Sequence, residues 1–139
     1  MKKIMMITAA LSLLAVFAFA GTDVPVPVKT KFATLYPKAE KPKWSKEGEN
    51  YEANFEDNEV EMSIVFNATG DVLETETELS VSQLPQSVTD YCTKTFPGKK
   101  IKEAAKLVDS KGVVTYEAEI GGADQIFDSN GNFIKSAKE

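Results

Sequence analysis

From Val24 onward the apolar positions recur at helical spacing. Val24, Val28, Phe32, Leu35 and Tyr36 fall on one helical face, and Leu84, Val88, Tyr91, Cys92 and Phe96 repeat the stripe later in the chain. Pro25 and Pro85 fall in the first turn of each predicted helix, where a missing N–H costs nothing. Pro27 must then lie in the first turn as well. Pro37 and Pro97 stop the helices, because a residue preceding proline avoids the helical region. After each helix the apolar period drops to two. Tyr51, Ala53 and Phe55 alternate with Glu52, Asn54 and Glu56, and Val60, Met62, Ile64 and Phe66 alternate with Glu61, Ser63, Val65 and Asn67. Leu73, Thr75, Thr77 and Leu79 alternate with Glu74, Glu76 and Glu78, and Val114, Tyr116, Ala118 and Ile120 alternate with Thr115, Glu117 and Glu119. Shorter runs at 125–127 and 133–134, and strands at 41–46 and 100–108, complete the two sets. Short links with Gly, Asn or Asp, such as Thr69-Gly70 and Asn130-Gly131, suit antiparallel reversals.

The two sets are copies of one unit. At an offset of 60, Val24, Pro25, Val28 and Tyr36-Pro37 match Leu84, Pro85, Val88 and Phe96-Pro97. "YEANF" at 51–55 matches "YEAEI" at 116–120, and "FNATGDV" at 66–72 matches "FDSNGNF" at 127–133. Three matches in the same order argue for an internal duplication. The expected fold class is therefore α+β: a tandem duplication of helix-plus-four-strand units, spanning 24–79 and 84–137. The units should form one continuous antiparallel sheet of about eight strands with two helices on one face. A half of about 55 residues buries little surface by itself, so the halves are expected to share one core.

The order of helix, "YEAE"-type strand and aromatic-Asp-x-x-Gly hairpin resembles the PepSY-like proteins. More closely, it resembles the secreted bacterial group described as beta-lactamase-inhibitor-like. The residues that carry the resemblance are Tyr51-Glu52-Ala53, Phe66 to Leu73, Tyr116 to Glu119 and Phe127 to Ile134. It covers the chain from Gly21 on in two copies, with Asn67 where the second copy has Asp128. It implies the tandem fold and an envelope or extracellular location, and it transfers no catalytic residue.

Composition narrows the function. "MKKIMMITAALSLLAVFAFA" has the charged, apolar, small-x-small order of a secretory leader, so residues 1–20 are expected to be a signal peptide and 21–139 a single domain made of the two repeats. The formal charge of −5 becomes −7 once Lys2 and Lys3 leave. That balance disfavours nucleic acid and, after cleavage, anionic membrane as partners. There is no His, which removes His-based catalysis and His metal sites, and the single Cys92 allows no internal disulfide. Cys92 reads as a core residue on the helix stripe. "DSNGN" at 128–132 has calcium-loop oxygens, but Phe133 stands where that loop needs glycine, so a hairpin turn accounts for it.

No catalytic residue, metal site or cofactor is assigned, and the protein is not expected to be an enzyme. The sheet face without helices should carry Glu52, Glu61, Glu74, Glu76, Glu78, Glu117 and Glu119, with Glu56 beside them. It is either a surface that docks a basic patch on a partner or a solvated face that discourages edge pairing. Trp44, between lysines, is either an anchor for that partner or a cap on the core at the sheet edge. The expected function is a secreted or periplasmic non-enzymatic binding module, with a protein-inhibitor role taken by analogy with the resembling group. Its partner would be an unidentified envelope or secreted protein. The alternative is a small-ligand or cation carrier with a site between the two repeats.

Overall fold

The computed structural model describes residues 23–138. The expected leader, residues 1–20, lies outside the described residues. Helix α1 (Val26–Leu35) is followed by strands β1 (Lys43–Glu47), β2 (Asn50–Asp57), β3 (Val60–Phe66) and β4 (Val72–Leu79). After a short 3-10 turn the pattern repeats: α2 (Gln86–Thr95), β5 (Glu103–Asp109), β6 (Val114–Ile120), β7 (Ala123–Phe127) and β8 (Phe133–Ala137). The strands lie in chain order, β1 to β8, in one eight-stranded antiparallel sheet. The chain divides into two compact units with the boundary between Thr77 and Glu78.

Each helix starts and stops as the prolines dictate. Pro25 and Pro85 are the residues just before the first helical position, with φ of −56° and −53°, and Pro27 falls in the first turn of α1. Tyr36 and Phe96 leave the helical region, with φ of −128° and −124° and ψ of 66° and 64°, as a residue before proline must. Their N–H groups still donate to the carbonyls of Phe32 and Cys92, both at 2.9 Å.

In the first unit α1 lays Val28 and Phe32 on the sheet, with Val24, Ala53, Phe55, Ile64 and Phe66 completing a buried cluster. In the second, α2 lays Val88 and Cys92 against Leu84, Ala104, Ala118, Ile120 and Phe127. The single shared interior expected from the sequence is thus replaced, among the described residues, by two clusters. A ten-residue helix is only about 15 Å long, enough to cover the strands of its own unit.

The strand phase departs from simple alternation at one place in each unit. Val65 pairs with Glu74 but Phe66 pairs with Val72, so Leu73 is an extra residue. Ile126 pairs with Lys135 but Phe127 pairs with Phe133, so Ile134 is the equivalent extra residue. Leu73 therefore does not share a face register with Thr75 and Thr77 as the period had implied. A bulge of this kind lets one strand carry two residues against one on its neighbour.

Candidate functional site

Antiparallel partners share a face, so the register sorts every strand residue. On the side away from α1, one cross-strand row reads Ser45, Glu52, Val65, Glu74. The next reads Lys43, Asn54, Ser63, Glu76. Glu56 stands directly opposite Glu61, and Glu47 opposite Asn50, on the same side. Glu78 continues the alternation of Glu74 and Glu76 along β4. Glu56 is exposed, and Glu61, Glu74, Glu76 and Glu78 are half-buried.

Glu52 departs from the expectation of an exposed face residue. It is 4% exposed, with Ser45 of β1 and Val65 of β3 as its cross-strand partners. Ser45 Oγ donates to its Oε2 at 3.4 Å, and Ser63 supplies a second hydroxyl bond. Burial is the main force pushing this carboxyl up to about 7. The charge of Glu47 adds to the rise, the two hydroxyls oppose it, and Glu74 contributes a smaller rise. Nothing in the alternation of "NYEANFED" distinguishes Glu52 from Glu56. The difference comes from the strands on either side, which local sequence does not display.

Trp44 is also placed differently from the glutamates. It pairs with Ala53, which puts it on the helix side of the sheet. There its ring meets Phe32 edge-on with centroids 5.5 Å apart and lies 6.2 Å from Phe66. It is half-buried against the first cluster, the edge-capping position of the two considered.

In the second unit the corresponding face is not an open acidic surface. Its rows read Ala105, Glu117, Ile126, Lys135 and Glu103, Glu119, Asp124, Ala137. Ala105, Leu107, Glu117, Asp124 and Ile126 on that side are all buried. β5 and β7 carry apolar residues on both faces, as Ala104-Ala105 and Ile126-Phe127 do, and a strand buried on both sides loses its alternation. Glu117, expected on the surface, is therefore interior. Glu119 keeps a small exposed portion and forms an ion pair with Lys102 at 3.4 Å.

The two glycine turns are closed by side-chain acceptors. Asp128 Oδ1 accepts from the N–H groups of Asn130 and Asn132, both at 2.9 Å, and Oδ2 accepts from Asn132 Nδ2 at 3.0 Å. In the first turn Asn67 Oδ1 accepts from the N–H groups of Thr69 at 3.0 Å and Asp71 at 2.9 Å, and Asn67 Nδ2 donates to Asp71 Oδ2 at 2.9 Å. Both carboxylate oxygens of Asp128, the first ligand such a calcium loop would need, accept from N–H donors. The bond from the Asn132 side chain, then those from the backbone N–H groups of Asn132, Asn130 and Gly131, hold Asp128 below the usual carboxylate range.

The comparisons with known proteins agree with this architecture. The model of a PepSY-like family, provisionally described as beta-lactamase-inhibitor-like, matches residues 16–73 and again 49–135. A solved protein from Bacteroides fragilis described as BLIP-like is similar at 25% identity, with a TM-score of 0.64 over 81% of this chain and 84% of its own. A DUF2874 family protein from Bacteroides ovatus is similar at 22% identity, with a TM-score of 0.74 over 84% of this chain and 88% of its own. A protein from Bacteroides eggerthii, provisionally described as periplasmic, shares the fold with a TM-score of 0.75 at 16% identity, over 81% of this chain and 87% of its own. No curated protein matches the chain. Among the described residues no helix is long and apolar enough to cross a membrane.

Proposed function

The chain belongs to the PepSY-like, beta-lactamase-inhibitor-like family, and from that premise we propose that it is a periplasmic or secreted binding module, not an enzyme. Its docking surface is the acidic sheet face of the first unit. The observation that carries this reading is the set of carboxylates gathered on one side of β2 to β4. Glu56 stands directly opposite Glu61, and Glu74, Glu76 and Glu78 follow along the neighbouring strand. Like charges placed directly across a strand pair destabilise a sheet. A face that gathers carboxylates presents a negative potential that a basic patch on another protein complements. The partner is an envelope or secreted protein with a basic patch. Complementary charge would speed the encounter and fix its orientation. An inhibitory role follows if that patch borders the partner's own site, the sense in which the family description and the BLIP-like neighbour support it.

The second unit contributes less to such a surface, because Glu117 and Asp124 are interior and Glu119 is engaged by Lys102. The test is capture of partners from a periplasmic extract by the secreted protein and by an E74K/E76K/E78K variant with an unchanged circular-dichroism spectrum. Partners held by the wild type at low salt should be lost both in the variant and at high salt. Equal recovery by the two proteins would overturn the reading.

A further inference from the structure

Asn130 is the one asparagine of the chain that is followed by glycine. The backbone nitrogen after an asparagine can close on the side-chain amide carbon to form a succinimide ring. A following glycine has no Cβ to hinder that closure. The pair sits in the second hairpin turn, a motif that the docking reading leaves unused. Asn130 is exposed and Gly131 is buried. The amide is thus open to solvent, while the nitrogen that would attack it is enclosed.

The peptide link between the two residues is engaged at both ends. Its N–H, on Gly131, donates to the carbonyl of Asp128 at 2.9 Å and is also drawn to the Asp128 carboxylate. Its carbonyl, on Asn130, accepts from Ser87 Oγ of α2 at 3.1 Å. The N–H of Asn130 donates to Asp128 Oδ1 at 2.9 Å, which fixes the near side of the turn. A Cβ at Gly131 would meet Ser87 and Pro85, so the link lies against the helix start. A nitrogen that donates a hydrogen bond keeps its proton, and a link held at both ends does not turn toward its own side chain. The clasp between α2 and the hairpin therefore keeps two reactive groups apart. β8 is the last strand of the sheet and is exposed along most of its length, so this hairpin is a place where local opening is expected. The matching residue of the first turn is Thr69, which has no amide to lose.

We propose that Asn130 is a self-modification site locked by the clasp: it deamidates when the hairpin lifts from α2, and its products close the clasp less well. In the lifted turn hydroxide takes the Gly131 N–H proton, and the nitrogen attacks Cγ of Asn130. The Cγ–Nδ2 bond breaks, and the amide nitrogen takes a proton from water and leaves as ammonia, which restores the hydroxide. Water then opens the succinimide. Attack at the side-chain carbonyl gives aspartate, and attack at the backbone carbonyl gives isoaspartate, whose main chain runs through an extra methylene. Water is consumed, ammonia is released and nothing is oxidised. Isoaspartate displaces the carbonyl that Ser87 holds, and aspartate sets a second carboxylate beside Asp128. The hairpin is thereby a one-way timer of its own opening.

The test incubates the secreted protein at mildly alkaline pH in heavy-oxygen water and maps the products by peptide mass spectrometry. Asn130 should become acid with solvent oxygen incorporated, isoaspartate predominating, while Asn58, Asn67 and Asn132 stay intact. The reaction should be faster in denaturant than in the native protein. S87A should react about fivefold faster than the wild type, the shift in open population given by losing one ordinary hydrogen bond, and the Gly131 amide should exchange faster by the same factor. Equal rates in native and denatured protein overturn the lock, as does S87A reacting no faster than the wild type. A denatured chain that keeps Asn130 intact overturns the site itself. The modified protein, separated by its added charge, should show faster amide exchange in β8, and unchanged exchange there overturns the one-way step.

Discussion

Gly131 sits against Ser87 so closely that a side chain at 131 would overlap the serine hydroxyl. An added Cβ would also lie 3.2 Å from Ser87 Cβ and 3.3 Å from Pro85 Cβ. Ser87 Oγ donates to the carbonyl of Asn130 at 3.1 Å, so the hairpin turn is tied to the first turn of α2. Gly70 makes the matching approach in the first unit, where a Cβ would lie 2.9 Å from the carbonyl oxygen of Pro27. Both glycines have positive φ, +79° and +91°. The turn written twice in the sequence is the clasp that holds each helix start to the last hairpin of its unit.

Replacing either glycine with alanine should therefore cost more than a left-handed backbone alone. That backbone term is about 1–2 kcal/mol, and the overlap adds to it. Gly48 supplies the control, because it also has positive φ, +60°, but nothing within 4 Å of an added Cβ. Urea midpoints should fall in the order G48A least, then G131A and G70A. G70A should fall furthest, since its obstacle is a backbone carbonyl and Ser87 can turn its hydroxyl aside. Equal losses at all three positions would show that the clasp contributes nothing.

Helix stripes, proline stops and most strand phases were legible because they depend on local period. Val28 and Phe32, Val88 and Cys92, Ala53 and Ala118 all lie buried where the pattern puts them. What escaped depends on neighbours far away in the chain. Leu73 and Ile134 look like ordinary members of an alternating run until Phe66 and Phe127 choose Val72 and Phe133 as partners. Glu52 and Glu117 read as surface residues until Ser45 and Ser63, or Ala105 and Ile126, are laid beside them. Trp44 lies in a five-residue strand too short to declare its phase, and its partner Ala53 decides the face.

Glu52 also sets a slope of stability with pH. Its carboxyl is raised to about 7 in the folded chain, chiefly by burial. An unfolded glutamate titrates near 4.3. Between those two values the folded state holds a proton that the unfolded state has released. Stability contributed by this group therefore falls as pH rises through that window and is level outside it. The loss across the whole window is on the order of 4 kcal/mol as an upper figure. E52Q, which keeps the neutral shape, should flatten that slope and be more stable than the wild type above neutrality. Parallel urea midpoints for the two proteins at acid and alkaline pH would contradict the assignment.

The Asn67–Asp71 and Asp128–Asn132 pairs explain why the second turn begins with Asp and the first does not. Each has one amide and one carboxylate joined by the same side-chain bond, with the two residue types exchanged. D128N leaves two amides and removes the charged acceptor, so it should lower the melting temperature. N132D alone places two carboxylates together and should lower it too. The double variant D128N/N132D recreates the order of the first turn, and most of the loss should return. The cycle should thus be strongly non-additive, whereas additive losses would mean that the pair does not act as a unit. Asp128 is held low chiefly by the Asn132 side chain. The wild-type turn's contribution is therefore present above the unfolded carboxylate range and lost as pH falls through the folded value, a dependence D128N should lack.

Cys92 occupies the place in α2 that Phe32 has in α1, and the exchange of a ring for a thiol is made good one residue earlier. Phe32 meets Tyr36, Trp44 and Phe55 with centroids 4.9–5.7 Å apart. In the second unit Tyr91 takes over the aromatic role, edge-on to Phe127 at 5.4 Å and stacked on Phe133 at 4.7 Å. The thiol beneath is 1% exposed, and burial raises it above the ordinary thiol range. Both effects withhold the thiolate that alkylating reagents attack. Iodoacetamide should leave the native protein unmodified by mass spectrometry and label it fully in denaturant. Restoring the ring with C92F should not help, because the space is already filled from Tyr91 and Phe127. Overpacking of that kind costs typically about 1–3 kcal/mol. C92F should therefore lower the urea midpoint and speed alkylation-independent opening, read as faster amide exchange in α2. A C92F protein as stable as the wild type would mean that Tyr91 does not occupy the volume that Phe32 fills in the first unit.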